Sequence, residues 1–276
     1  MSDKLDTSDL SDISQTMLLT LYLRYMESKL DGGIIRAPEY SYLVRQLDYN
    51  FSKFKDFSDL QLFLAARTVQ TESLISEFLN NNECGTVVCI AAGLGISFTL
   101  NNNPDIDWYD LDLPPVIELR KKLFPKQDNH HYIAASAWDE TWMETISSDK
   151  PILVVIEGLL LYFSEEKVRE LFVNLINKLK ADELVFDSIS KYIRQLEETN
   201  NPEYIDFEKT PFVWGIDDIR EIEEWHDNLS FDKSLYQSEL YDERASTIMQ
   251  AVLEYCPVGK NIYRVSRFKI NKKTVC

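Results

Sequence analysis

The sequence predicts an α/β protein, a mostly parallel sheet with helices on both faces, and three observations predict it. From Gly85 onward, the short apolar runs TVVCIAA (86–92), DWYDL (107–111), HYIAAS (131–136), ILVVIE (152–157) and ELVFDSI (183–189) alternate with helical stretches. Strands that alternate with helices join through right-handed crossovers into a parallel sheet. Runs such as ILVVI lack polar alternation, as strands buried on both faces do. The first run stops at Ala91-Ala92-Gly93-Leu94-Gly95, small residues that leave the main chain open to close approach.

Taken in order, residues 14–30 have helical periodicity. Met17, Leu18, Leu21 and Tyr25 share a face, Leu30 can join it, and Asp31-Gly32-Gly33 ends the helix. A second helix is expected from Pro38 to about Tyr49. A third runs from Ser58, as N-cap, to Asn80, with Asn80-Asn81-Asn82 as the exit. SFTLNN, PPVIELRKKLF, ETWMETI and SEEKVRELFVNLINKLK supply the connections between strands. Residues 191–230, rich in Glu, Asn and Trp, read as helix and loop of a lid-like insert, and NIYRVSRFKI (261–270) alternates weakly, as an edge strand does. The organisation expected is one domain in three parts: a helical N-terminal segment (1–84), an α/β core (85–190), and a lid-like region with C-terminal strands (191–276).

The chain has 276 residues, of which 45% are hydrophobic, enough for a large core. Its net charge of −17 repels phosphate backbones and anionic membranes, which speaks against nucleic acid or membrane as partner. The N-terminal stretch has neither the basic nor the apolar region of a secretory signal, and no apolar run reaches the length of a membrane span. Cys84, Cys89, Cys256 and Cys276 show no metal-ligand spacing. These features lead to the expectation of a cytoplasmic protein with reduced thiols and no metal.

Ligands of open α/β sheets sit beyond the carboxyl ends of the strands, so the residues that close each run are the candidate site. They are Ala91-Ala92-Gly93, Asp110-Leu111-Asp112, Ser136-Ala137-Trp138-Asp139 and Glu157-Gly158. The glycines do not form the dinucleotide fingerprint, since Phe98 stands where a third small residue is required. Asp112 can accept both hydroxyls of a ribose or cap the helix that opens with Pro114-Pro115. Asp110 either shares its face or lies past the strand. Glu157 follows five apolar residues, and a carboxylate there needs a partner, either a cationic or hydrogen-bonding ligand or a basic side chain. Arg67, within FLAARTV, poses the converse choice between a ligand carboxylate and an internal acid.

These positions together resemble the class I S-adenosylmethionine methyltransferases. TMLLTLYLRYMES (16–28), LDYNFSKF (47–54), AARTVQTESLISEFL (65–79), WYDLDLPPVIELRKKLFP (108–125) and ILVVIEGLLLYFSEEKVRELF (152–172) narrow this. They are similar to the leucine carboxyl methyltransferase superfamily, in particular to its tetracenomycin polyketide O-methyltransferase branch. The resemblance implies a Rossmann-like, mostly parallel seven-stranded sheet, S-adenosyl-L-methionine as cofactor, and methylation of a small-molecule hydroxyl or carboxylate. It further implies that Arg67 holds the methionine carboxylate and that Gly93, with Ala91 in the same turn, borders the methionine and ribose. Asp112 would bind the ribose, Ala137 and Trp138 would flank the adenine, Glu157 would contact the cofactor at the fourth strand, and Arg24 would be a basic residue facing the site. The chain departs from the family in one place. Where the family reads G-A-G-L-D-T-R, the chain has Ala91-Ala92-Gly93-Leu94-Gly95-Ile96-Ser97, and Ser97 cannot replace a long cation. That departure leaves open a degenerate, non-catalytic cofactor-binding protein; a carboxyl methyltransferase acting on a protein C-terminus is a further alternative, and a nicotinamide oxidoreductase a remote one.

Methyl transfer from a sulfonium is an in-line displacement in which the protein mainly positions the acceptor and excludes water. A neutral phenol would need a base. His226, in EEWHDN, is the candidate, whereas His130 and His131 read as surface residues. Tyr22, Tyr25, Tyr162, Phe163, Phe212 and Trp214 are each able to line an acceptor pocket or to fill the core.

Overall fold

The computed structural model describes residues 4–271 except 9, 11, 55–56, 148, 200–210, 242–243, 247–249, 251–253 and 256–258. Its sheet has seven strands: β1 (Gly85–Ile90), β2 (Ile106–Asp112), β3 (His130–Ala134), β4 (Ile152–Ile156), β5 (Glu183–Ile189), β6 (Leu229–Tyr236) and β7 (Tyr263–Ile270). Their order across the sheet is β3-β2-β1-β4-β5-β7-β6. The first five run parallel, and β7 pairs antiparallel with both β5 and β6. All five runs expected as strands are strands. The order reverses between β1 and β4, which makes the crevice above them the natural ligand position.

Seven α-helices accompany the sheet among the described residues: α1 (Asp12–Ser28), α2 (Glu39–Gln46), α3 (Ser58–Asn81), α4 (Ser97–Leu100), α5 (Pro114–Leu123), α6 (Glu165–Asn174) and α7 (Lys191–Thr199). Pro114 and Pro115 occupy the first turn of α5, where a missing N–H is harmless and a fixed φ is already helical. Ser164 caps α6 by accepting from Lys167 N–H, with Glu165 and Glu166 in the positive first turn. Ser58 is no cap: α3 begins on it, and the preceding Phe57 makes no side-chain cap bond. Leu30, beyond α1, is exposed.

β1 and β4 are buried along their length, and apolar layers cover both sheet faces. One is built on Val88, Ile90, Val154, Ile156 and Phe172, the other on Val87, Trp108, Leu153 and Phe78. A third cluster joins α1, α2 and α3 to Leu94 and Ile96 of the loop after β1. This packing fixes the N-terminal helices against the end of the sheet that carries the crevice.

Two expectations are corrected. NIYRVSRFKI is not an edge strand: β7 lies between β5 and β6, and the edge is β6, whose Asp232 and Lys233 interrupt its apolar alternation. His130 is not a surface residue. It is buried, stacked on Phe98 with ring centroids 3.9 Å apart. The lid-like region resolves into α7, a stretch over 211–216 that is neither helix nor strand, and a 3-10 turn over Ile219–Trp225, while residues 200–210 lie outside the described residues.

Candidate active site

The carboxyl ends of β1, β2 and β4, the loop after β3 and parts of α1 and α3 surround a cavity of about 690 Å³, within the range of small-molecule sites. Arg24, Arg67, Ala91, Gly93, Asp112, Ala137, Trp138 and Glu157 all line it. His226 does not. Its Nε2 lies 3.2 Å from Asn177 Oδ1, its Nδ1 accepts from the Asn228 N–H at 3.1 Å, and it is absent from the cavity wall, so the expectation of a base there is corrected.

β1 ends in a turn in which Ala91 and Gly93 both have left-handed backbone, with φ of 55° and 50°. For alanine this conformation is unfavourable by about 1 kcal/mol, a strain found where a loop must hold a special shape. The Gly93 N–H donates to Asp112 Oδ2 at 2.8 Å, and the Leu113 N–H donates to Asp112 Oδ1 at 2.7 Å. Burial pushes the Asp112 pKa up, and these two N–H groups offset part of that. Leu113, not Asp112, stands at the cap of α5, so the helix-cap reading falls away.

Beneath this turn lies Arg120 of α5, 2% exposed. Its Nη1 donates to the carbonyls of Gly93 at 2.7 Å, Gly95 at 3.1 Å and Ala92 at 3.4 Å, and its Nη2 donates to Asp110. Asp110 also faces His130 Nε2 at 2.6 Å and accepts from the Trp108 indole N–H at 3.2 Å. Burial would raise the Asp110 pKa, but Arg120 and His130 outweigh it and hold the carboxyl below its ordinary value. The loop is therefore braced from within by α5.

The other end of the cavity is ionic. The Arg24 Nε donates to Thr68 Oγ1 at 2.7 Å and its Nη2 to Glu157. Arg67 Nε lies 3.1 Å from Glu157 Oε1, and Arg67 Nη1 reaches Asp187 Oδ2 at 3.4 Å and the Tyr263 hydroxyl at 3.3 Å. Burial would raise the Glu157 pKa, yet the two guanidiniums keep it below its ordinary value. Both choices left open by the sequence thus meet in one pairing, in which Glu157 and Arg67 are each other's internal partners at the cavity wall. Gly158, with φ of 69°, donates its N–H to Asp187 Oδ1 at 2.7 Å, and a Cβ there would come within 3.1 Å of Arg67 Nη1.

At the opposite end, the Ala137 carbonyl accepts from the Trp142 indole at 3.3 Å, the Trp138 indole donates to the Lys167 carbonyl at 3.1 Å, and the Trp138 ring lies 3.9 Å from that of Phe163. Tyr162, Phe163 and Phe212 line the cavity. Tyr22 and Tyr25 pack in the N-terminal cluster, and Trp214 is core. The sequence reading did not single out Glu72, Arg120 or Asp187. Asp187 interrupts an apolar strand and Arg120 shares the inner face of α5 with Val116, so both carried a signal. Ser97 explains Glu72: its hydroxyl donates to Glu72 Oε1, and Asn101 Nδ2 donates to Glu72 Oε2 at 2.8 Å.

A crevice with an acid beside a glycine turn, an indole at one end and paired arginines at the other is chemically suited to a nucleoside joined to an amino acid. The family model for leucine carboxyl methyltransferase matches residues 19–176. The chain belongs to the leucine carboxyl methyltransferase family. It is 28% identical over 226 residues to the tetracenomycin polyketide synthesis O-methyltransferase TcmP of Streptomyces glaucescens, covering 79% of this chain and 80% of that one. It is 27% identical over 237 residues to the S-adenosyl-L-methionine-dependent methyltransferase dpfgK of Gibberella zeae, covering 78% of each. The magnesium protoporphyrin IX methyltransferase ChlM of Synechocystis, crystallised with S-adenosylhomocysteine, superposes with a TM-score of 0.52 at 10% identity, over 85% of this chain and 93% of that one. The fold is that of class I methyltransferases, and the cofactor of this family is S-adenosylmethionine. No helix among the described residues is long and apolar enough to cross a membrane.

Proposed function

We propose that the protein transfers the methyl group of S-adenosylmethionine to a hydroxyl or carboxylate oxygen of a largely apolar, ring-bearing small molecule. One observation carries the reading: the cavity wall includes Phe63, Tyr162, Ile193, Phe212 and Ile262, which cluster around Leu161, Ile189 and Tyr263, an apolar surface that suits a flat apolar skeleton. The Streptomyces glaucescens relative is named for O-methylation in tetracenomycin polyketide synthesis.

The residues present fit the cofactor. Gly93 has no side chain of its own and borders the cavity, Asp112 offers a partly buried acceptor for ribose hydroxyls, and Arg67 offers a fixed guanidinium for a carboxylate. Ala137 and Trp138 border the adenine, and Ala91 and Arg24 complete the wall. When bound, the sulfonium supplies an already activated methyl group. The protein's own work is to hold the acceptor oxygen in line and to keep water out through this apolar surface. No histidine lines the cavity among the described residues, so the reading favours an acceptor that is already anionic, a carboxylate or an acidic phenol.

The test is calorimetry with S-adenosylhomocysteine together with mass spectrometry of aromatic acids and phenols incubated with S-adenosylmethionine. Asp112→Ala is expected to weaken binding about 30- to 100-fold, the loss of charge-assisted hydrogen bonds to two hydroxyls. Unchanged affinity in that variant, or methylation confined to protein C-termini, would overturn the proposal.

A further inference from the structure

Resting on the cofactor reading above, we infer that Glu72 receives the α-ammonium group of the bound cofactor, and that its setting by Ser97 and Asn101 is a positioning device for that contact. Glu72 lies on α3 one turn beyond Thr68, the residue that holds Arg24, and it lines the same cavity. Each of its oxygens has one neutral donor, Ser97 Oγ on Oε1 and Asn101 Nδ2 on Oε2. No cation stands within ion-pair distance of it among the described residues.

The charges around it show what is missing. Arg24 and Arg67 are engaged by Glu157 and Asp187. The cavity wall sets these two cations against four carboxyls, Asp59, Glu72, Asp112 and Glu157, so it has room for further positive charge. Burial raises the Glu72 pKa, and the hydrogen bonds from Ser97 and Asn101 offset part of that. An amino acid entering here brings a carboxylate and an ammonium. The carboxylate goes to the arginines, and the ammonium needs an acceptor nearby.

The competing acceptors are main-chain carbonyls of the loop after β1, and Arg120 already donates to those of Ala92, Gly93 and Gly95. A second cation on the same oxygens would meet the positive guanidinium, so like-charge repulsion steers the ammonium away from them. Of the other carboxyls in the wall, Glu157 is held by both arginines, Asp112 accepts from two main-chain N–H groups, and Asp59 accepts from Ser246 about two turns of α3 before Arg67, so Glu72, just past Thr68 on α3, is the acid left for the ammonium. Its two neutral donors hold both oxygens in place without neutralising them, which leaves the full charge for a ligand. The same geometry gives the serine at 97 a use, since a long cation at that position would pair with Glu72 itself.

The experiment compares S-adenosylhomocysteine with 5′-S-(3-carboxypropyl)-5′-thioadenosine, which keeps the carboxylate and lacks the amino group. Calorimetry is run on the wild type, E72Q and E72D, with thermal unfolding as the check on folding. The wild type is expected to bind the amino-free analogue about 10- to 100-fold more weakly, the loss of one charged hydrogen bond. E72Q is expected to lose about the same factor for S-adenosylhomocysteine and to bind the analogue as the wild type does, while E72D retains part of the discrimination. Wild-type binding of both ligands with equal affinity overturns this inference and leaves the cofactor reading standing. A loss in E72Q that is equal for both ligands assigns Glu72 a purely structural role and also overturns it. Failure of the wild type to bind either ligand overturns the cofactor reading and this inference with it.

Discussion

Arg120→Met removes the brace under the loop after β1, and the structure sets the scale of the effect. Arg120 and Asp110 are each 2% exposed, so the variant leaves a buried carboxylate with only the His130 ring and the Trp108 indole for partners. Breaking a buried pair from one side destabilises by about 3–5 kcal/mol, because the remaining charge stays desolvated. In a chain of this size that lowers the melting temperature by about 5–9 °C. The carbonyls of Gly93 and Gly95 lose their donor as well, so the turn that must meet the cofactor is no longer held. A tenfold or greater loss of S-adenosylhomocysteine affinity, about 1.4 kcal/mol, is expected. The decisive measurement is a double-mutant cycle by thermal and urea unfolding. Asp110→Asn in the Arg120→Met background is expected to recover part of the lost stability, because it removes the orphaned charge. Additive single-variant effects, or an Arg120→Met protein that binds the cofactor product as well as the wild type, would refute the bracing argument.

Gly158→Ala places a Cβ 3.1 Å from Arg67 Nη1 on backbone with φ of 69°. It is expected to cost about 1–2 kcal/mol in stability and to weaken S-adenosylhomocysteine binding by displacing the guanidinium; unchanged calorimetric affinity would show that Arg67 is not so placed. The Asp110 carboxyl lies below its ordinary pKa in the folded protein, so the native state binds fewer protons there than the unfolded chain. Its contribution is complete above the ordinary aspartate value and is lost as pH falls through the native one. Asp110→Asn is therefore expected to have a shallower loss of stability over about pH 5 to 2, followed by circular dichroism. Equal slopes in the two proteins would contradict the sign.

Much of this was legible in the sequence, for identifiable reasons. ILVVI and TVVCI could only be buried strands, and a parallel sheet puts the tips of such strands at one edge, so Gly93, Asp112 and Glu157 had to be neighbours. Arg67 announced itself as a cation within an apolar helix face. What stayed hidden depends on partners far apart in the chain. Glu72 reads as one more surface acid until Ser97 and Asn101 are seen on its two oxygens, 25 and 29 residues away. His130 opens a strand and reads as polar, and only the stack on Phe98 and the approach to Asp110 bury it. The place of β7 was illegible for a similar reason. Its alternation is weak because side chains on both of its faces are buried, and β6 is obscured by charges that suit an edge.

That place in the sheet has a consequence for the order of assembly. The penultimate strand of the sheet is drawn from residues 263–270, and its first residue, Tyr263, donates its hydroxyl to Asp187 beside Arg67. A ribosome that has delivered everything up to residue 262 has made each loop of the nucleoside crevice, yet β5 still offers a bare edge and Asp187 still lacks its phenol. The nascent protein therefore holds Arg67 and Asp187 well before it can lock them together through Tyr263. Until β7 inserts between β5 and β6, the unfinished sheet is a target for chaperones or for the wrong strand.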